Sequence, residues 1–295
     1  MNTDKYIKVH KGRTFVPIEE IYSSEKPEKS GKVIVFDLDE TIGSFSDFFI
    51  LWQTVEKYIQ PNTIDFNALL DIYPEFLRHG ILQILEFLYY KKQKGDCSNI
   101  YIYTNNQCSI IWVQQIADYI ESKISKGSKK LFDQIIQAFK IGEKRVEMKR
   151  TTNAKTHTDF IKCTLLPKTT EMCFIDNSYF PKMCDERVYY IQPRSYIHNL
   201  RSDEIIDRFM SSKLFEKAQY KGYCFETILY EAFLKRLPFI NMILLEKRLE
   251  TDILISQKIM YYIREFFYLY SRKMKTRKMR QPIGRFTRRK GHGSV

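Results

Sequence analysis

Four short runs of apolar, β-branched and aromatic residues punctuate the first two thirds of the chain: "KVIVFD" (32–37), "NIYIYT" (99–104), "EMCFID" (171–176) and "RVYYIQ" (187–192). Continuous rather than alternating apolar character over five or six residues predicts strands buried on both faces. Between them lie stretches with helical apolar spacing, among them "PEFLRHGILQILEFLYYKKQ" (74–93) and "CSIIWVQQIADYIESKI" (108–124). Strands alternating with helices predict an α/β fold with a mostly parallel sheet covered by helices. After Pro193 the period changes. "SDEIIDRFMSSKLFEKA", "CFETILYEAFLKRL" and "EKRLETDILISQKIMYYIREFFYLYSRK" read as helices, and no strand is expected there.

The domain organisation follows. Residues 1–30 are polar, contain "SSEKPEKSGK", and read as a leader and linker. Residues 31–200 form the α/β core. Its segment 44–77 is extra material whose aromatic half-helices could pack over the rim of the sheet as a small cap. Residues 201–270 form a helical region, and 271–295 a basic tail expected to be disordered when free.

The charge of +13 is concentrated in that tail: residues 271–295 carry ten Lys or Arg and no Asp or Glu, so the other 270 residues carry about +3. Ten unopposed cations predict contact with a polyanion, either nucleic acid or an acidic partner. The six cysteines form no CxxC pair and read as buried reduced thiols, which fits a cytoplasmic or nuclear location. No apolar leader and no stretch long enough to span a bilayer is found, so no membrane partner is expected. The wealth of Lys, Ile, Tyr and Phe hints at an AT-rich coding sequence of the kind large DNA viruses and some protists carry.

The chemistry is predicted at the carboxyl ends of the strands, where open parallel sheets bind ligands. There the first run ends in Asp37 and Asp39, the second in Thr104, the third in Asp176 and Asn177. A carboxylate fixed at a strand end can attack phosphorus, and a second one two residues on can protonate the leaving alkoxide and later deprotonate water. Those roles require Asp37 charged and Asp39 protonated at the start, hence environments that separate the two. Thr41 is placed to orient Asp39, and Thr104 to donate to a phosphoryl oxygen. The five histidines show no metal-ligand spacing, and His157 reads as a surface residue. Walker and GxGxxG patterns are absent.

"VFDLDET", "IYTNN" and "FIDNS" resemble three motifs of the haloacid-dehalogenase (HAD) superfamily. DLDET and the Asp-Asn pair are similar to the branch of RNA-polymerase-tail (CTD) and NLI-interacting-factor-like phosphatases. "RHG" (78–80) resembles that branch's RPG, with His79 in place of proline. The resemblance covers about residues 31–200. It implies a Rossmann-like HAD core, an aspartyl-phosphate mechanism, and Mg²⁺ held by Asp37, the backbone carbonyl of Asp39 and Asn177, with Asp176 beside the metal as a further ligand or as a partner of the ligands. It also implies a motif-three lysine before the third run, for which Lys155 fits the context best and Lys162 is the runner-up. The substrate it implies is a phosphoprotein, with small phosphoesters and nucleic-acid ends as the rival class and a catalytically silent binding module as the other.

Overall fold

The computed structural model describes residues 5–17, 31–125, 130–218, 220, 224–235 and 246–271. The linker "SSEKPEKSGK" up to Ser30 and the tail beyond Ser271 lie outside them.

Four strands occupy the predicted runs: β3 (Lys32–Phe36), β4 (Asn99–Tyr103), β8 (Glu171–Ile175) and β9 (Val188–Pro193). With β1 (Ile7–Lys11) and β5 (Gln134–Ile136) they form a six-stranded sheet in the order β1-β9-β8-β3-β4-β5. All neighbours are parallel except β1, which runs antiparallel to β9 with Val9 opposite Ile191. The architecture is α/β with a mostly parallel, mixed sheet.

Two-residue alternation divides the side chains of this sheet between two cores. Ile34, Phe36, Ile100, Ile102, Cys173, Ile175, Tyr189 and Ile191 enter the larger one, and Val33, Val35, Tyr101, Tyr103, Met172, Phe174, Val188 and Tyr190 the smaller. Because both faces are covered, the runs show no polar alternation. The smaller core is closed by Phe160 and Cys163 of α5 (His157–Thr164).

The larger core takes in α1 (Ser46–Tyr58), α2 (Phe66–Asp71), α3 (Ile81–Gln93) and α4 (Ile110–Ile124). Here a first expectation is corrected. Segment 44–77 does not stand apart as a cap: Phe48 packs against Phe66, Phe76 and Trp112, and Leu51, Leu69 and Leu70 join the same cluster as Ile34 and Phe36. Its apolar positions are too many to leave on a rim, and burying each stabilises by about 1.5–3 kcal/mol.

Two further corrections concern the chain ends. Residues 7–11, placed in the polar leader, form the edge strand β1, with Ile7 buried beneath it. Residues 15–17 form β2 (Phe15–Pro17), which pairs with β10 (Leu269–Ser271), so the helical region does contain a strand. The helices there are α6 (Ser202–Met210), α7 (Lys213–Glu216), α8 (Phe225–Leu234) and α9 (Glu246–Tyr268). In α9, Ile255, Ile259, Ile263 and Phe266 face the core while Tyr261 and Tyr268 stay exposed. Lys32, at the start of β3, ends α9: its ammonium donates to the carbonyls of Phe266 (2.7 Å), Phe267 and Leu269, groups that a helix terminus leaves without partners. A short hairpin, β6 (Lys140–Ile141) with β7 (Lys144–Arg145), follows β5. Among the described residues no helix is long and apolar enough to cross a membrane.

Candidate active site

Register assembles the site. Phe36 lies opposite Ile102 on one side and Ile175 on the other, so the residues that follow β3, β4 and β8 emerge side by side at one edge. The Asp37 amide donates to the Ile175 carbonyl at 2.9 Å, which fixes the strand end rigidly.

Lys155 occupies the middle. Its ammonium lies 2.5 Å from Asp37 Oδ1 and 2.6 Å from Asp176 Oδ2, and the residue is 1 % exposed. The chain delivers it there by starting α5 just after it. Thr156 is the N-cap, its hydroxyl accepting from the Asp159 amide, while the Asp159 carboxylate accepts from the Thr151 amide and closes the approaching loop. Lys162, seven residues on, points outward with its side chain 52 % exposed and its ammonium 3.9 Å from Asp159. His157 is not at the surface: it is half-buried beside Asp185, and burial holds its imidazole below the ordinary histidine range.

Burial lowers the Lys155 pKa, and the two carboxylates more than reverse this, leaving it above the ordinary lysine value. For Asp176 burial is the largest influence and raises the carboxyl, opposed by Lys155. Asp39 is raised to about 6, first by burial and then by the charge of Asp37, while a hydrogen bond from Asn106 Nδ2 (2.8 Å) pulls the other way. Asn106 also donates its amide to the Thr104 hydroxyl at 2.9 Å, linking the loop after β4 to Asp39.

The expected partner of Thr41 was Asp39. Instead its hydroxyl lies 2.9 Å from Asn177 Oδ1 and 3.3 Å from Asp37 Oδ2, and it accepts from the Asn177 amide. The turn between Asp39 and Thr41 is strained: Glu40 has φ of 59°, a left-handed conformation that costs an L-residue about 1–2 kcal/mol. Three contacts hold it, from the Tyr196 amide (2.8 Å) and Arg78 Nη2 (2.6 Å) to the Glu40 carbonyl, and from the Glu40 amide to Gly43 O (2.6 Å). At Gly43 a Cβ would meet the Phe45 ring at 2.4 Å and the Phe76 carbonyl at 2.5 Å, so only glycine lets the turn close.

Two buried arginines support the loops. Arg78 donates to the carbonyls of Thr41 (2.6 Å), Glu40 and Arg194, and burial pulls its guanidinium down to about 10. Arg150, 0 % exposed, donates to Thr104 O (3.0 Å), Gln137 O (2.6 Å), Asn153 O (3.0 Å) and Asn105 Oδ1 (2.7 Å), with its guanidinium 4.8 Å above the Tyr103 ring. It thus ties together the loops after β4 and β5 and the approach to Lys155. Sequence reading missed Arg150 and Asn106, because nothing in "EMKRTTN" or "TNNQ" separates a buried donor from a solvated one. An Arg150→Ala variant is expected to lose about 3–5 kcal/mol of stability, since four acceptors lose their donor and a cavity opens. A thermal melt that matches wild type would remove Arg150 from this role.

The donor set suits a hard cation. Among the described residues Asp37 Oδ2 has a single 3.3 Å hydroxyl contact, Asn177 Oδ1 faces the same hydroxyl, and the Asn177 Nδ2 group is turned away to Ser195 Oγ at 3.0 Å. Among the described residues no three His, Cys, Asp or Glu side chains cluster as a metal site. A cation here would therefore rest on two carboxylates, an amide oxygen and a backbone carbonyl, the few-ligand oxygen chemistry that Mg²⁺ accepts.

Comparison with family models, with curated proteins and with solved structures finds no match for this chain.

Proposed function

We propose that the chain is a phosphomonoester hydrolase with a Rossmann-like HAD core, working through a phosphoryl-aspartate on Asp37. The observation that carries this reading is the buried Asp37–Lys155–Asp176 triad beside an Asp39 carboxyl raised to about 6. Three carboxylates and one ammonium would repel a phosphate dianion, and Mg²⁺ on Asp37, Asp176, Asn177 and the Asp39 carbonyl would supply the missing positive charge. The chain's own residues do the rest. Lys155 holds Asp37 Oδ1 and orients the carboxylate for in-line attack on phosphorus. The Thr104 hydroxyl already accepts from the Asn106 amide, so its proton is available to a phosphoryl oxygen. As the Asp37–phosphorus bond forms and the ester P–O bond breaks, Asp39 gives its proton to the departing alkoxide. Water then attacks phosphorus, Asp39 recovers a proton from it, and inorganic phosphate leaves Asp37 as a free carboxylate.

Because segment 44–77 is spent in the core, it is not a separate lid, which favours a phosphate carried on a larger molecule. The test is hydrolysis of a nitrophenyl and an alkyl phosphate by purified chain, with and without Mg²⁺, across pH. Turnover of both is expected only with Mg²⁺. The acid form of Asp39 disappears above pH 6, so the alkyl ester, whose leaving group needs the proton, should slow about tenfold per pH unit relative to the nitrophenyl ester. A ratio that does not change with pH would take the acid role from Asp39. No turnover of either by folded protein would leave the site a binding module.

A further inference from the structure

The reaction leaves one face beside the site without a role. On the α5 side of the sheet, beyond β8, Lys8 lies opposite Gln192 and His10 opposite Tyr190, and the Arg194 amide donates to the Tyr6 carbonyl at 2.8 Å. Lys8 and Arg194 are exposed, and neither pairs with a carboxylate among the described residues. Arg194 lies over the Tyr6 ring, 5.8 Å from its centroid. Tyr179 stacks on Tyr190 (6.1 Å, 17°), sits 4.9 Å from the His10 ring, and is 48 % exposed.

This face joins the catalytic residues directly. Gln192 Nε2 donates to the Asn177 carbonyl at 3.3 Å, and Gln192 Oε1 lies 3.4 Å from His10 Nε2. Tyr179 follows Asp176 by three residues, which puts their backbones within about 10 Å. That is about the reach of one nucleotide from its terminal phosphate to its base.

Open π faces interleaved with unpaired cations form the surface that single strands of nucleic acid bind, bases on rings and phosphates on Lys and Arg. We propose that this face seats the last nucleotides of a single-stranded nucleic acid whose terminal phosphate monoester enters the site. The terminal base stacks on Tyr179, and Arg194 and Lys8 meet the phosphates behind it. The sequence adds ten Lys or Arg without an acid over residues 271–295, which favours the same polyanion. This inference rests on the hydrolase reading but is separable from it.

The test uses the full chain in two assays. Binding of a fluorescent phosphorylated single-stranded decamer is measured on the Asp37→Asn variant, where nothing turns over. Turnover of the decamer, a phosphoserine peptide and glycerol phosphate is measured on otherwise wild-type protein. Tyr179→Ala should weaken decamer binding about 5- to 100-fold and lower decamer turnover in step, with glycerol phosphate unchanged, and Tyr179→Phe should restore both. Lys8→Ala with Arg194→Ala should flatten the log–log salt dependence of binding by about 1.4. If none of the three substrates is hydrolysed while decamer binding still depends on Tyr179, the hydrolase reading fails and this surface stands. If glycerol phosphate is hydrolysed but Tyr179→Ala leaves the decamer unaffected, or the phosphopeptide is preferred, the surface proposal is overturned.

Discussion

Asp37→Asn is expected to cut phosphomonoester turnover on the order of 10⁴- to 10⁶-fold, the cost of removing a nucleophile, with little change in melting temperature. The substitution is isosteric, and each new contact has a partner. The amide oxygen can accept from Lys155 in place of Oδ1, now 2.5 Å away, and the amide NH₂ can donate to the Thr41 hydroxyl that lies 3.3 Å from Oδ2. Lys155 keeps Asp176 at 2.6 Å as its counter-charge. One buried carboxylate is lost from a group of three, so the remaining Asp39 should titrate lower than about 6, because Asp37 is one of the charges that raise it. Turnover within tenfold of wild type, in protein that melts normally, would remove Asp37 as nucleophile. A collapse of the melt would mean that the strand end depends on that charge in a way its contacts do not predict.

The elements legible in the sequence are those whose environment is uniform along their length. β3, β4, β8 and β9 are buried on both faces, and their apolar runs state it. β1 was not legible because only Ile7 is buried, while Lys8 and Lys11 face water, so "IKVHK" reads as one more piece of a lysine-rich leader. β10 is three residues at the end of a 23-residue helix, and its pairing with Phe15–Pro17 spans the whole chain, beyond any local signal. In the site, carboxylates at strand ends stood out because a charge next to a buried run is unusual. Arg78 stood out only as part of "RHG", and Arg150 not at all, because a buried arginine looks like an exposed one until its acceptors are known. The Thr41 expectation failed for a related reason: spacing placed the hydroxyl two residues from Asp39, and across the left-handed Glu40 it meets Asn177 and Asp37 instead.

Lys155→Met should reduce rate and stability together, and their pH dependence separates the two causes. The side chain is of similar length but uncharged, so Asp37 and Asp176 would be left adjacent and buried with no cation between them. Removing one partner of a buried ion pair costs about 3–5 kcal/mol. For a chain of this size that lowers the melting temperature by roughly 6–20 °C. The sign with pH is fixed by the carboxylates. Without Lys155 the Asp176 carboxyl, already raised by burial, rises further, so the folded variant binds a proton that the unfolded chain releases above about pH 4. The variant's deficit is therefore full only above the raised Asp176 value, which lies above about 7, and shrinks as the pH falls through it. Turnover should not recover in step. Protonating Asp176 relieves the repulsion but does not restore the ammonium beside Asp37, so the rate stays orders of magnitude below wild type where the stability gap has closed. Lys162→Ala supplies the contrast: its ammonium is exposed and touches only Asp159 at 3.9 Å, so melt and rate should both stay near wild type. Equal losses at the two lysines would place the positive charge of this site somewhere other than between Asp37 and Asp176.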